Sequence, residues 1–373
     1  MDALMLPLNW QRVRLGDIGK PCMCKRVMKH QTTRYGEIPF YKIGTFGNTA
    51  DAFISKKLFL EYKTKYSFPK KGDILISASG TIGRAVIYDG KPAYFQDSNI
   101  VWIDNDETLV KNDFLFYAYS HVKWNTEHTT ILRLYNDNFR NTLIPLPPLN
   151  EQSAIANILS ALDRYLCALD ALILKKEGVK KALSFELLSQ RKRLKGFNQA
   201  WQRVRLGDIA NYLTSNLSVE QITQQGKIKV YDVNNFIGYT DTTFISDKPY
   251  ISIVKDGSVG RVRILPPKTN ILSTMGALIA NHKTTTEFLF YLLSNFDFKN
   301  FTSGSIIPHI YFKDYKEKTI FLPSLNEQIA IANILSALDN EIASLKNKKR
   351  QFENIKKALN HDLMSAKIRV LEK

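Results

Sequence analysis

A fifteen-residue helical segment occurs twice in this chain. Residues 149–163 read LNEQSAIANILSALD and residues 325–339 read LNEQIAIANILSALD, so the copies differ only at Ser153 and Ile329. Apolar residues continue beyond both copies in steps of three and four, which is the spacing of a seam between long packed helices. The repeat therefore predicts two long helices, and the second must run antiparallel to bury its stripe on the first.

The predicted seam consists of Leu159, Leu162, Leu166, Leu169, Ile173, Val179, Leu183 and Leu187 in the first copy and of Leu335, Leu338, Ile342, Leu345, Phe352, Ile355, Leu359 and Leu363 in the second. Four lysines on or beside this seam indicate loose packing or a partner-facing surface: Lys176, Lys180, Lys349 and Lys356. Prolines precede each helix, and Asn150 and Asn326 are the expected N-caps. The first helix is expected to run to Lys195 and stop at Gly196.

The duplication extends beyond the helices, because WQRVRLGDI occurs at 10–18 and again at 201–209. Short runs rich in β-branched and aromatic residues predict strands at 73–77, 84–88 and 99–103. We therefore predict an α+β protein: two similar strand-rich α/β domains separated by two long antiparallel helices, with a pseudo-two-fold repeat. The predicted boundaries are 1–148 for the first domain, 149–197 for the central helix, 198–324 for the second domain and 325–373 for the C-terminal helix.

The two globular segments align with each other. GTIGR at 80–84 matches GSVGR at 257–261, FLFY at 114–117 matches FLFY at 288–291, and Arg133 falls opposite His309. Short helices are predicted at 113–122 and 287–295. The offset between the copies drops by about fourteen residues between Lys57 and Ser77, which predicts an insertion in the first segment.

The net charge of +17 is spread over all four regions, which favours extended basic surfaces and a polyanionic partner. Nucleic acid is preferred to membrane because no apolar run approaches the roughly 20 residues that span a bilayer. The N-terminus shows no signal peptide, and Cys22, Cys24 and Cys167 do not form a zinc pattern. A cytoplasmic protein with reduced thiols is expected.

Catalytic motifs are not evident in the sequence. It contains no GxxxxGK[ST] phosphate loop, no Asn-Pro-Pro-aromatic tetrapeptide and no glycine-rich cofactor loop, so no cofactor and no metal are expected. Asp51 with Glu61 and Lys63 superficially resembles a nuclease D…ExK pattern, but a charged loop in the inserted segment is the favoured explanation because the second globular segment has no counterpart. His121 and His128 do not share a helical face.

The glycine turns are the best candidates for nucleic-acid contact. Two glycines let the backbone approach a phosphate, Thr81 or Ser258 offers a hydroxyl, and Arg84 or Arg261 adds a charged fork; a tight hairpin turn is the alternative explanation. Arg133 and His309 are candidate base readers, or else surface or phosphate contacts. The full set of candidate DNA contacts is Lys42, Ser79, Thr81, Arg84, Arg133, Tyr135, Lys255, Ser258, Arg261, Arg263, His309 and Tyr311.

LPPLNEQ and LPSLNEQ at the helix entries, together with GDILISASGTIG in the first segment, resemble the specificity (S) subunit of type I restriction-modification systems. The resemblance covers essentially the whole chain, although the second segment lacks the GDILIS stretch. It implies two target-recognition domains, a non-catalytic role, and binding to double-stranded DNA, two methyltransferase (M) subunits and restriction and translocation (R) subunits. The helix starts are the expected partner-binding positions: Asn150, Glu151, Gln152, Asn326, Glu327 and Gln328.

Forty-five helical residues would span roughly 68 Å at about 1.5 Å each, or around 20 base-pair steps. Such a frame would hold two recognition domains on unlike half-sites across an unread spacer. The alternatives are a DNA-binding subunit that acts with a methyltransferase only, an unrecognised metal-dependent nuclease, and a structural dimeriser.

Overall fold

The computed structural model describes residues 7, 9–128 and 132–370. The chain divides into two compact units: unit 1 comprises Met1–Leu169 and Lys348–Lys373, and unit 2 comprises Asp170–Asn347. Each unit contains one strand-rich globular part, the first half of one long helix and the last part of the other. The first long helix is Leu149–Leu188 and the second is Leu325–Met364, each of 40 residues.

Unit 1 is built around a four-stranded antiparallel sheet. In spatial order its strands are Gly19–Met23, Ile100–Asn105, Ile74–Ser77 and Ala85–Ile87. A second sheet has the order Phe53–Ile54, Ile38–Tyr41 and Tyr94–Phe95, and its last pair is parallel. Two-stranded ribbons join Gln11–Arg14 to Leu143–Leu146 and Glu127–His128 to Leu132–Arg133. The helices are Leu15–Ile18, Lys56–Lys65, Asn112–His121 and Asn136–Asn141, with a 3₁₀ turn at Lys29–Gln31.

Unit 2 repeats this topology sheet for sheet. Its four-stranded sheet has the order Ala210–Thr214, Met275–Ala280, Tyr250–Val254 and Val262–Leu265. Its three-stranded sheet has the order Phe236–Thr240, Ile228–Tyr231 and Thr269–Ile271, again with a parallel last pair. The ribbons join Gln202–Arg205 to Thr319–Leu322 and Thr302–Ser303 to His309–Ile310. The short helices are Thr286–Ser294 and Phe312–Tyr315, with 3₁₀ turns at Leu206–Asp208, Val219–Gln221 and Lys299–Phe301.

The α+β class, the three predicted strands and both predicted short helices are therefore confirmed. The short helices form because each presents its apolar side chains to a sheet: Phe114 and Leu115 in unit 1, and Phe288 and Leu289 in unit 2, are almost fully buried. The inserted segment of the first copy forms the helix Lys56–Lys65, which is capped by the hydroxyl of Ser55 accepting from Leu58 N at 3.2 Å.

The predicted ends of the long helices were wrong. The first stops at Leu188, and the chain then turns at Gln190 with a φ of 63°. The second stops at Met364 and turns at Ala366 with a φ of 56°, at the corresponding position of the repeat. In both cases a non-glycine residue in the left-handed region follows the end of the helix. The expectation that a glycine marks the end therefore placed the end of the first helix too late, at Gly196.

Asn150 and Asn326 are not the N-caps, because both lie inside the first helical turn. Asn150 Oδ1 accepts only from the adjacent amide of Glu151, at 3.0 Å. The first intrahelical amides bond instead to carbonyls just before the helices: Gln152 N donates to Pro148 O and Gln328 N to Ser324 O, each at 2.9 Å.

The seam was predicted correctly except at one duplicated position. Leu159 and Leu335 are fully buried, whereas Val179 and Ile355, which are equivalent in the two copies, are 40% and 49% exposed. Of the two explanations for the seam lysines, loose packing was wrong, whereas a partner-facing surface stays a prediction. Three of those lysines form ion pairs with the facing helix of the same unit: Lys356 with Asp163, Lys180 with Asp339, and Lys176 with Glu341; Lys349 pairs within its own helix with Glu353.

Candidate nucleic-acid interface

The glycine turn of unit 1 is a closed loop at the end of the strand Ile74–Ser77. Gly80 and Gly83 have φ values of 64° and 83°, which an L side chain rarely adopts. Gly83 N donates to Ser77 O at 2.9 Å, and Ser77 Oγ bonds to Thr81 O and to the amide of Arg84. A Cβ at Gly83 would collide with the Trp124 indole, so this position has both a backbone and a packing reason for glycine.

Arg133 lies beside this turn and forms a polar cluster with Ser79 and Asn99. Ser79 and Arg133 form an isolated antiparallel bridge, and Leu134 N donates to Ala78 O at 2.8 Å. Asn99 Oδ1 accepts from Ser79 Oγ at 2.7 Å and from Arg133 Nη2 at 3.2 Å. The guanidinium is thus oriented by Asn99.

Unit 2 keeps the same backbone frame with different side chains. Gly257 and Gly260 have φ values of 83° and 79°, and a Cβ at Gly260 would lie 2.5 Å from the Phe298 ring. Asp256 and His309 form the bridge that Ser79 and Arg133 form in unit 1, and Ile310 N donates to Lys255 O at 2.9 Å. The predicted equivalence of Arg133 and His309 is therefore confirmed by strand pairing.

The arginines after each glycine turn are held by backbone or amide oxygens. Arg84 Nη1 donates to Phe46 O at 2.9 Å. In unit 2, Arg261 Nη2 donates to Asn234 Oδ1 at 2.8 Å, and Arg263 Nη1 donates to Asn234 O at 3.0 Å. Because these partners are neutral, each guanidinium retains its full positive charge for an anion.

The remaining candidate DNA contacts lie around the same two loops. Thr81, Ser258, Tyr135 and Tyr311 are exposed, and the rings of His309 and Tyr311 stack at a centroid distance of 6.5 Å. Ser79 is buried and acts through Asn99, and Lys255 contributes its backbone carbonyl to Ile310. Lys42 is paired with Asp51 at 2.8 Å, which partly neutralises it.

The nuclease-like residues do not converge. Asp51 pairs with Lys42, Glu61 pairs with Lys65 at 3.1 Å, and Lys63 lies over the Phe59 and Phe68 rings. Glu61 and Lys63 lie on the helix Lys56–Lys65, where residues two apart point to different sides; an ExK site needs them on one face.

The histidines that the structure describes do not form a metal cluster either. The rings of His121 and His361 lie 5.2 Å apart between centroids and are tilted by 49°, whereas the side chain of His128 lies outside the described part of the chain. Among the described residues no group of three or more His, Cys, Asp or Glu side chains could hold a metal ion.

Four of the six expected partner-binding side chains are buried in joints within the chain. In unit 1, Glu151 accepts from Trp10 Nε1 at 3.0 Å and from Arg369 Nε at 2.7 Å. In unit 2, Glu327 accepts from Trp201 Nε1 at 3.1 Å and from Arg193 Nε at 2.8 Å. Both carboxylates are at most 2% exposed, so each fastens the end of one long helix to the start of the other.

Gln152 and Gln328 connect the helix starts to the globular parts. Gln152 Nε2 donates to Pro147 O and Leu109 O, and its Oε1 accepts from Lys111 N. Gln328 makes the corresponding bonds to Pro323 O, Lys283 O and Thr285 N. Of the six positions, Asn150 and Asn326 remain exposed.

Sequence reasoning missed the positioning residues Asn99, Asn234 and Asp256, for which no sequence signal exists. It also missed the joint arginines, although a signal was present: Arg193 and Arg369 are separated by the same 176 positions as Glu151 and Glu327.

The fold and these surfaces define an internally duplicated recognition protein, in which two equivalent units present different side chains from one frame. Residues 7–176 and 198–354 match the family model described as type I restriction modification DNA specificity domain. The chain belongs to this family and is a specificity subunit of a type I restriction-modification system, the non-catalytic component that recognises DNA.

Named relatives agree with this assignment. A putative type I restriction enzyme specificity subunit of Haemophilus influenzae is 64% identical over 148 residues, which cover 39% of this chain and 38% of that protein. The MjaVIII specificity subunit of Methanocaldococcus jannaschii is 26% identical over 99% of this chain and 95% of its own length. The S subunit structure from M. genitalium superposes with a TM-score of 0.64 at 21% identity, covering 96% of this chain and 98% of that one.

No helix in the described part of the chain is long and apolar enough to cross a membrane.

Proposed function

We propose that this subunit reads a bipartite, asymmetric double-stranded DNA target, one half-site with each unit. The observation that carries the proposal is the equivalence of Arg133 and His309 beside the two glycine turns. An Arg fork matches the O6 and N7 acceptors of guanine, whereas a neutral His offers one donor and one acceptor. Equivalent positions with different hydrogen-bonding groups support unlike half-sites.

Selection of bound duplexes from a randomised bipartite library tests this proposal. Arg133→Ala should relax one position of the first half-site and weaken its preferred sequence by about 1–3 kcal/mol, while the second half-site stays unchanged. His309→Ala is the matched control, with the reverse expectation. Uniformly weaker binding without a change of motif would assign Arg133 to a phosphate.

We further propose that the long helices dock two methyltransferase subunits, and that restriction and translocation subunits join the same assembly in the cytoplasm. Val179 and Ile355 support two equivalent docking positions, because they are exposed apolar residues at the same register of the repeat. The exposed Asn150 and Asn326 are the remaining candidates at the helix starts. The family relatives, named as subunits of type I restriction enzymes, support such partners.

Native mass spectrometry of the assembly tests the docking positions. Ile355→Asp should reduce the bound methyltransferase from two copies to one, and so should Val179→Asp, whereas the double variant should bind none. Ser189→Asp, at an exposed polar position just past the first helix, is the control and should retain two copies. Two copies bound to the double variant would refute the assignment.

The purified chain alone should neither methylate nor cut DNA. Methyl transfer from S-adenosylmethionine by the chain alone, or metal-dependent cleavage abolished by Glu61→Gln, would favour an enzyme instead. Binding to all duplexes without preference would favour the structural dimeriser.

A further inference from the structure

The loop that carries His309 is held rigidly against the glycine turn of unit 2. Its strand His309–Ile310 pairs with Thr302–Ser303, and Gly257 N donates to Pro308 O at 2.9 Å. Gly304 has a φ of 90°, and a Cβ there would collide with Ile307 O and lie 3.0 Å from His309 Cδ2. The main chain of His309 is therefore held in place by backbone hydrogen bonds within unit 2.

One hydrogen bond decides which ring nitrogen of His309 is left to contact another group. His309 Nδ1 lies 2.7 Å from Asp256 Oδ1, and a carboxylate can only accept. The hydrogen must therefore be on Nδ1, and in the neutral ring Nε2 carries a lone pair. The partly exposed side chain then presents an acceptor to the surroundings.

The corresponding group of unit 1 has the opposite character. Arg133 has donors only, and one of them is fixed by the amide oxygen of Asn99. Donors match the keto and N7 acceptors of guanine, whereas an acceptor matches the exocyclic amine of adenine or cytosine in the major groove. The two units thus present complementary hydrogen-bonding types from one frame.

We propose that Asp256 is a positioning residue for specificity: it fixes the tautomer of His309 so that the second half-site requires an amine-bearing base, adenine or cytosine, at the position His309 reads. This inference rests on the proposed function, because it assumes that His309 faces DNA. Asp256 itself is partly buried and acts through the imidazole rather than on the base.

Asp256→Asn is the discriminating variant, because it preserves shape while changing hydrogen bonding. The Asn amide can donate to Nδ1, which moves the ring hydrogen to Nε2; replacing the orienting Asp of a hydrolase triad by Asn has this effect on its histidine. The reading group would change from acceptor to donor. We expect the preferred base at one position of the second half-site to change from adenine or cytosine to guanine or thymine. The ratio of selected duplexes with the new base to those with the old one should rise at least about fivefold.

The experiment is selection from a randomised bipartite library with the full-length chain at about pH 8, where an ordinary imidazole is neutral. Four proteins are compared: the unchanged chain, Asp256→Asn, His309→Ala and the double variant. The double variant should match His309→Ala, because the effect of Asp256 requires the ring. The first half-site should be identical in all four and is the internal control. Hydrogen exchange of residues 250–265 verifies that unit 2 remains folded.

The outcomes separate failure of the proposed function from failure of the positioning role of Asp256. If the unchanged chain selects no bipartite motif, the proposed function fails. If it selects one but Asp256→Asn keeps the same base with weaker binding, the positioning role is wrong and the proposed function stands. Two other results also overturn the positioning role. The first is a guanine or thymine preference of the unchanged chain at the position whose preference is lost in His309→Ala. The second is a base change by Asp256→Asn that persists when His309 is replaced.

Discussion

Removal of Arg369 should open the joint between the helices of unit 1. Glu151 is 2% exposed and accepts three hydrogen bonds: one from Trp10 Nε1 at 3.0 Å, and two from Arg369, Nε at 2.7 Å and Nη2 at 2.9 Å. Arg369→Ala removes both charge-assisted bonds and leaves a buried carboxylate with one neutral donor. Breaking a buried pair in this way costs about 3–5 kcal/mol.

The expected cost lies near the lower limit of that range, because the Arg369 side chain is 29% exposed and water can enter where it is removed. About 3 kcal/mol corresponds to roughly a 150-fold faster exchange of the amides that this joint protects. Glu151→Gln should cost less, about 1–2 kcal/mol, because the partly exposed Arg369 can be hydrated and no buried charge remains. The double variant with both Arg369→Ala and Glu151→Gln should therefore be more stable than Arg369→Ala alone.

Hydrogen exchange with peptide resolution is the appropriate assay, since the two units need not unfold together. Arg369→Ala should deprotect residues 149–160 and 359–370 and leave 325–336 unchanged. Arg193→Ala in the equivalent joint of unit 2 is the matched control and should do the reverse. If Arg369→Ala and the double variant were equally destabilised, the cost would come from lost packing on Trp10 rather than from an unpaired charge.

Three further predictions concern individual side chains. Gly83→Ala should disrupt recognition of the first half-site in the duplex selection, while Gly72→Ala, which has a positive φ but no neighbour within 4 Å of a Cβ, should not. Burial raises the pKa of Cys24 to about 12, so a thiol reagent followed by mass spectrometry should label the exposed Cys167 at neutral pH and leave Cys24 unmodified unless the protein is unfolded. Burial lowers the pKa of His121 from 6.5. The contribution of the neutral ring to stability is therefore present above about pH 6.5 and is lost as the pH falls through the lower pKa of the folded state. Hydrogen exchange at decreasing pH should show that unit 1 is destabilised less by acid in His121→Gln than in the unchanged chain.

Much of the fold could be predicted because the duplication lets each half test the other. Aligning FLFY at 114–117 with FLFY at 288–291 located a helix in both halves, and the structure places both in equivalent cores. The insertion after Lys57 appears as the helix Lys56–Lys65, as the change in offset indicated. These features depend on local periodicity and burial, which sequence patterns report directly.

The errors have two physical causes. Helix ends depend on the backbone conformation of single residues, and Gln190 and Ala366 adopt a conformation that their sequence does not announce. Lysines in an apolar stripe indicate loose packing as long as the facing residues are unknown. Only the fold shows that Asp163 faces Lys356. The positioning residues Asn99 and Asp256 were invisible for the same reason, because their partners are 34 and 53 positions away.

The duplication separates two kinds of residue. At the joints both units use the same side chains. A Trp and an Arg donate to a Glu at the start of a long helix in each unit. A tyrosine also donates to an aspartate of a long helix, Tyr117 to Asp163 in unit 1 and Tyr291 to Asp339 in unit 2. These groups are buried or half-buried, so replacing either partner leaves an unsatisfied polar atom.

The recognition loops are only partly exposed, and the buried Ser79 of unit 1 has Asp256 in its place in unit 2. The pair formed by Asn99 and Arg133 can differ from the pair formed by Asp256 and His309 because the hydrogen-bonding partners change together, Ser79 donating to Asn99 in unit 1 and Asp256 accepting from His309 in unit 2. The frame can therefore stay symmetric while the reading groups diverge. On the function proposed above, this combination gives the subunit two equivalent positions for identical partner subunits and a target whose halves differ.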